Sequence, residues 1–132
     1  MIEREASCSC GQLRVVVTGE PVRVSICHCL ACQRRTGSSY GYQARFPQDR
    51  VTVSGEARGF MRQSDEDGAA RTFRFCPRCG STVYYTNEEM PGVVAIAVGA
   101  FADPDFPAPA VSVWEERKHT WVVPPSEAEH VY

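Results

Sequence analysis

The residues of this chain best suited to chemistry are its seven cysteines, all of which fall in short-spaced groups. The groups are Cys8-Ser9-Cys10, Cys27-His28-Cys29-Leu30-Ala31-Cys32 and Cys76-Pro77-Arg78-Cys79. An odd number of cysteines cannot all pair as disulfides. A zinc ion held by protein alone takes four ligands, whereas a reactive zinc ion keeps one position open. The cysteines divide into four and three, which predicts one closed zinc site and one open site.

The segment from Cys76 to Gly80 has the CPxCG pattern of a zinc knuckle. Two thiolates three residues apart on a turn reach one ion, and the glycine can adopt a positive φ that turns backbone amides toward the sulfurs. A knuckle supplies half of a tetrahedron. Cys8 and Cys10 are its simplest partners, because residues i and i+2 of an extended segment point to the same side. We therefore predict that Cys8, Cys10, Cys76 and Cys79 form a structural site.

Cys27, Cys29 and Cys32 remain for the open site. Cys27 and Cys29 share a side by the same rule, and Cys32 returns after a turn. The fourth position is left for water, a substrate thiol or His28. Alternation turns His28 away from the sulfurs, which favours a supporting role for it over ligation. The alternative is that Cys32 is an unligated core cysteine and that a single zinc ion binds.

Length, charge and composition limit the possible domain organisation, partners and location of the protein. With 132 residues the chain fits one domain, and a net charge of −2 does not favour nucleic acid or anionic membranes as partners. The N-terminus is charged and unlike a secretory signal, and no apolar run approaches the ~20 residues of a membrane span. We expect a cytoplasmic protein, since clustered cysteines in a reducing compartment more often bind metal than form disulfides. We expect one zinc-binding domain over residues 1–123 and a poorly ordered tail over 124–132.

Short, alternating, β-branched segments predict a mainly β fold with little helix. The predicted strands are 13–17, 22–26, 40–46, 51–54, 57–61, 71–75, 81–85, 93–101, 111–114 and 119–123. We expect the first two to pair as a hairpin, and 71–75 to pair with 81–85 around the knuckle.

Outside the strands, the sequence predicts a weak helix over 31–36 that ends at Gly37. Proline and aspartate make 102–109 a loop, and the polar segment 64–68 reads as a hairpin tip.

Together these motifs resemble the glutathione-dependent formaldehyde-activating enzyme family, which includes centromere-protein-V-like proteins. The matching stretches are 8–11, 27–38, 75–81 and 98–104, in the family's order. The resemblance implies a β-tent fold, in which antiparallel sheets and hairpins are organised around zinc. It also implies a structural zinc ion and a second zinc ion associated with activity. Their ligands would be, respectively, Cys8, Cys10, Cys76 and Cys79, and the catalytic-site cysteines Cys27, Cys29 and Cys32.

The activity implied by the resemblance is addition of glutathione to formaldehyde, and more broadly that of a carbon–sulfur lyase. The expected partners are a small thiol such as glutathione and an aldehyde. Two zinc ions are expected per chain, and the three-cysteine site is expected to be partly occupied. An open zinc site suits this chemistry because it deprotonates a thiol near neutral pH. The alternative is a non-catalytic zinc module that binds thiols, a protein or nucleic acid; the acidic balance argues against nucleic acid.

Residues near the three-cysteine motif are candidates for substrate contacts. Arg34, Arg35 and Arg45 are the nearest cations for the carboxylates of glutathione, although a solvated surface arginine is the commoner role. Tyr84 and Tyr85 are expected to face opposite sides of their strand. The remaining polar and aromatic candidates are expected to hold the zinc loop or complete the core: Gln33, Thr36, Ser38, Trp114, His119 and Trp121.

Overall fold

The computed structural model describes residues 1–64 and 68–132, so the centre of the predicted polar hairpin tip lies outside the described residues. The strands are β1 Glu3–Ser7, β2 Arg14–Thr18, β3 Arg23–Cys27, β4 Gly41–Pro47, β5 Val51–Ser54, β6 Arg58–Gln63, β7 Ala70–Phe75, β8 Thr82–Asn87, β9 Val93–Ala97, β10 Val111–Val113 and β11 Glu129–His130. The helix α1 is Leu30–Thr36, and short 3-10 helices cover Gln48–Arg50, Val98–Phe101 and Glu115–Arg117. The prediction of a mainly β fold with little helix is confirmed.

The strands form two sheets. The smaller sheet has the order β1-β2-β5 and is antiparallel. The larger sheet has the order β11-β10-β3-β4-β9-β8-β7-β6. It is antiparallel except around β10, which runs parallel to both β3 and β11. The predicted hairpin around the knuckle is confirmed, since β7 and β8 pair antiparallel on either side of it.

The predicted hairpin between β2 and β3 is wrong, because the two strands lie in different sheets. The turn after β2 does not bring β3 alongside β2. The Gly19 amide donates to the Ile2 carbonyl just before β1, and the Val22 amide donates to the Arg45 carbonyl of β4. Three successive buried residues in β3 show that it is covered on both faces, which requires a central position in a sheet.

The C-terminal part of the chain also differs from the prediction. Residues 119–123 form no strand, and the predicted strand 93–101 ends at Ala97, where a 3-10 helix begins. The segment after Pro124 is not a loose tail: Ala128 is buried, and β11 pairs with β10. The strand that follows β10 in the chain is therefore β11, within the segment predicted to be a tail.

The hydrophobic core lies between the two sheets. Leu13 just before β2 and Val15 and Val17 within it pack with Phe46 and Ile96 from the larger sheet, and all five are fully buried. Burying such a side chain stabilises the fold by roughly 1.5–3 kcal/mol. The opposite face of the larger sheet is left to form a cleft.

Alternation along β4 separates the two faces. Ala44 and Phe46 point into the core, whereas Gln43 and Arg45 line the cleft. No helix among the described residues is long and apolar enough to cross a membrane.

An ion pair joins the last strand, β11, to the 3-10 helix that follows β10. His130 Nδ1 lies 2.6 Å from Glu115 Oε2, and the Glu115 side chain is buried. The hydrogen bond to Glu115 raises the pKa of His130. Burial acts to raise the pKa of Glu115, but hydrogen bonds from Ser112 and His130 and the charges of His130 and His28 lower it overall. The pair is therefore stable with both partners charged.

We predict that His130→Gln lowers the melting temperature near pH 5.5 and has little effect near pH 8.5. A histidine whose folded pKa is raised stabilises the fold fully below its unfolded pKa of about 6.5. That stabilisation disappears as the pH rises through the raised pKa. Thermal unfolding at both pH values measures the difference. Glu127→Gln, an exposed change in the same segment, is the control, and an equal loss at both pH values for His130→Gln would contradict the ion-pair explanation.

Candidate metal centres and the adjoining cleft

The four-cysteine group joins the two sheets. Cys8 and Cys10 lie in the turn after β1, and Cys76 and Cys79 lie in the turn between β7 and β8. The four sulfurs lie within 4.8 Å of one another, and Cys10 Sγ is 3.6 Å from both Cys8 Sγ and Cys76 Sγ. A disulfide needs about 2.05 Å. Sulfurs at the corners of a zinc tetrahedron are about 3.8 Å apart, since each zinc–sulfur bond is about 2.3 Å. The spacing fits a metal ion and excludes a disulfide.

Polar hydrogens surround these sulfurs. The Leu13 amide donates to Cys8 Sγ at 3.3 Å, and the Arg78 amide donates to Cys76 Sγ at 3.3 Å. Gln12 Nε2 donates to the same Cys76 sulfur at 2.9 Å. Such donors stabilise a thiolate over a thiol. Gly80, with φ +80, closes the turn by donating its amide to the Cys76 carbonyl, which is the geometry that the CPxCG pattern predicts.

The three-cysteine group lies where β3 passes into α1. Cys27 ends β3, Cys29 caps the helix and Cys32 lies in its first turn. The Cys29 sulfur accepts a hydrogen bond from the Cys32 amide at 3.3 Å, and the three sulfurs lie within 4.8 Å of one another.

The three sulfurs cannot all ionise without a cation. Hydrogen bonds from the Cys27 and Cys32 thiols lower the pKa of Cys29 to about 2. The thiol of Cys27 has a raised pKa because it donates to Cys29 and Cys32 and is partly buried. One thiolate is therefore held by two thiols, and a divalent ion would allow all three to bind as thiolates. The donor set fits a metal ion with an open position.

His28 faces away from this group. Its ring is fully buried, with Nε2 2.9 Å from Ser112 Oγ and the Tyr40 ring packed edge-on at 5.7 Å. Burial lowers the pKa of His28. A neutral imidazole packed between β10 and Tyr40 supports the loop that carries the cysteines.

A cleft of about 390 Å³ opens beside the three-cysteine group, and all three cysteines lie in its wall. Its described lining contains six arginines and no acidic residue. The arginines are Arg23, Arg35, Arg45, Arg62, Arg71 and Arg117. The three cysteines in the wall of the cleft therefore lie beside six cations, and such a cleft favours an anionic ligand.

Aromatic side chains complete the cleft. Tyr85 and Phe73 lie on neighbouring strands with ring centroids 4.9 Å apart. The Arg35 guanidinium lies over the Phe73 ring at 4.7 Å, and that of Arg62 lies 5.5 Å from the same ring. Burial raises the pKa of Tyr85 to about 12, so its phenol remains a hydrogen-bond donor. Tyr84 packs against the core instead, so the two tyrosines face opposite sides, as predicted.

The structure separates the predicted arginine candidates. Arg35 and Arg45 line the cleft, whereas Arg34 is exposed and lies along a shallow groove on the other side of α1. Trp114 lines the cleft, and Trp121 and His119 lie along the shallow groove.

The polar residues of α1 hold the loop. Gln33 Nε2 donates to the carbonyls of His28 and Arg117, at 2.8 and 2.9 Å. Thr36 Oγ1 donates to the Cys32 carbonyl at 2.8 Å and accepts from the Ser38 amide at 3.1 Å. These contacts fix the helix that carries Cys32.

Sequence reasoning missed several cleft residues. Arg23 and Ser25 could have been found by counting back from Cys27 in steps of two along one strand. Arg62 and Arg71 could not, because their strands join the sheet of β3 only through the pairing of β9 with β4, which are far apart in sequence.

Two groups of cysteines that could each hold a metal ion thus lie on a mainly β scaffold. The sequence profile of the glutathione-dependent formaldehyde-activating enzyme family matches residues 3–117, and the chain belongs to that family. The search of curated proteins found no match. A crystal structure of a Rhodobacter sphaeroides protein matches with a TM-score of 0.54 and 20% identity, over 73% of this chain and 85% of that one. At that identity the likeness supports the fold alone.

We predict that the reduced protein binds two zinc ions per chain and that Cys79→Ser and Cys29→Ser each remove one. Cys79→Ser should also lower the melting temperature markedly, because the four-cysteine group joins the two sheets. Cys29→Ser should change it less, since the three-cysteine group lies within one stretch of chain. Elemental analysis and thermal unfolding measure both effects. A variant that keeps both ions would contradict the assignment of its cysteine.

Proposed function

We propose that this protein is a zinc-dependent carbon–sulfur lyase-like enzyme acting on thiol–aldehyde adducts, similar to S-(hydroxymethyl)glutathione synthase. The observation that carries the proposal is the position of the three-cysteine group in the wall of a cationic cleft. A purely structural metal site needs neither an open position nor a ligand cavity beside it. Glutathione and formaldehyde are the substrates that the family's name suggests.

The proposal gives the two cysteine groups different roles. Cys8, Cys10, Cys76 and Cys79 would hold a structural zinc ion, and Cys27, Cys29 and Cys32 would hold a second one. When bound at the three-cysteine group, zinc supplies an open position that lowers the pKa of a substrate thiol.

The reaction needs no oxidant or reductant. In the synthetic direction the sulfur–hydrogen bond of the thiol breaks and a sulfur–carbon bond forms at the aldehyde carbon. The carbonyl π electrons move to oxygen, which takes up a proton and becomes a hydroxyl. The reverse steps cleave the adduct.

The chain's own residues contribute binding and a hydrogen bond. Arginines in the cleft attract the carboxylates of glutathione and keep its thiol near Cys27 and Cys29. Tyr85 keeps its proton and can donate a hydrogen bond to the oxygen on which charge develops. Phe73 lies directly opposite Tyr85 on the neighbouring strand and packs against its ring.

We predict that the zinc-loaded protein accelerates exchange between glutathione, formaldehyde and their adduct, and that Cys29→Ser reduces exchange to the uncatalysed rate. NMR exchange spectroscopy measures the enzymatic rate above the spontaneous one. Zinc analysis on the same samples separates loss of metal from loss of fold. Glutathione binding without acceleration, for every thiol–aldehyde pair tried, would overturn the enzymatic proposal and leave a thiol-binding protein.

We predict that Tyr85→Phe lowers the exchange rate about tenfold to a hundredfold without loss of zinc, because it removes a hydrogen-bond donor from the reacting oxygen. Tyr84→Phe is the matched control, since that side chain packs against the core on the other face of β8. Equal rates for the two variants would exclude the hydroxyl of Tyr85 from the reaction.

A further inference from the structure

The floor of the cleft carries a polar series that runs away from the three-cysteine group. Cys27, Ser25 and Arg23 alternate along β3 and all line the cleft. Strand β4 lies alongside, so that Gln43 is directly opposite Ser25 and Arg45 is directly opposite Arg23. Four residues of strand place Arg23 about 13 Å from Cys27 along the sheet. The thiol end and the cationic end of the cleft are therefore separate.

The arrangement of Arg23 and Arg45 is unfavourable for the empty protein. Like charges directly opposite each other on neighbouring strands destabilise a sheet. The Nε atom of each is buried and has no hydrogen-bond partner. Burial and the neighbouring charge of Arg23 both lower the pKa of Arg45. No described acidic residue lines this cleft to offset the two charges.

Between the two ends the floor is neutral. Gln43 Nε2 donates to Ser25 Oγ at 3.0 Å, and both side chains are buried. Amide and hydroxyl groups suit the uncharged middle of a peptide-like ligand, and an extended tripeptide spans about 10 Å. The cleft thus has a sulfur end, a polar middle and an anion end.

We propose that Arg23 and Arg45 form a carboxylate-binding subsite that selects thiols bearing an acid group remote from the sulfur. The thiol nature of the ligand rests on the proposed function, whereas the subsite itself rests on the two arginines. Guanidinium groups bind carboxylates in a bidentate manner, and a bound carboxylate would offset the repulsion between the two charges.

S-Methylglutathione tests the subsite separately from catalysis, because it retains both carboxylates and its sulfur carries no proton to lose. Its dissociation constant is measured by calorimetry with zinc-loaded protein, next to that of its diethyl ester. We expect Arg23→Gln and Arg45→Gln each to weaken binding of the acid at least about tenfold. Both substitutions should leave binding of the ester unchanged, and Arg45→Lys should restore part of the affinity. Arg34→Gln is the matched control, because Arg34 lies outside the cleft on the other side of α1, and this variant should bind as the wild type does.

Thermal unfolding without ligand separates a binding role from a structural one. If the arginines serve a ligand, Arg45→Gln melts at the same temperature as the wild type or higher, because a repulsion is removed. A marked fall in melting temperature, or equal affinities of wild type and both glutamine variants for S-methylglutathione, would overturn the proposal. Weakened binding in a protein that catalyses no exchange would uphold the subsite while the enzymatic proposal fails.

Discussion

The four-cysteine group is the contact on which the rest of this structure depends. It ties the turn after β1 in the smaller sheet to the hairpin of β7 and β8 in the larger one. That hairpin carries Phe73 and Tyr85, which form one wall of the cleft. The four-cysteine group at the tip of the hairpin therefore links this wall of the cleft to the smaller sheet. The position of the wall beside the three-cysteine group depends on that link.

Alternate residues along the strands of the larger sheet face either the hydrophobic core or the cleft. One face of β4 contributes Ala44 and Phe46 to a core with the smaller sheet, and the other contributes Gln43 and Arg45 to the cleft. Because the period is two residues, a register shift of one would bury the charges and expose the core. Packing of the apolar face thus fixes the strand register, and the register in turn fixes the positions of the side chains that line the cleft.

Local patterns predicted the parts of the site that local geometry controls. The spacing within each cysteine motif indicated which sulfurs share a side, and the structure brings the same four and the same three together. Gly37 ends α1 in the left-handed conformation, as its position indicated. Strand pairing was harder: β2 and β3 were expected to form a hairpin, but three buried residues in a row place β3 in the middle of the other sheet. The arginines of β6 and β7 reach the cleft through that long-range pairing, which no local spacing encodes.

The clustering of cations beside the three-cysteine group has a second consequence. The charge of Arg62 acts to lower the pKa of Cys29, and the charge of Arg35 acts in the same direction on Cys32. Arg35 is itself held over the Phe73 ring, so its charge stays near the sulfurs. The same electrostatic field that attracts an anionic ligand therefore favours thiolates in the wall of the cleft. The repulsion between Arg23 and Arg45 lowers the stability of the larger sheet. The core on the opposite face of that sheet offsets this loss.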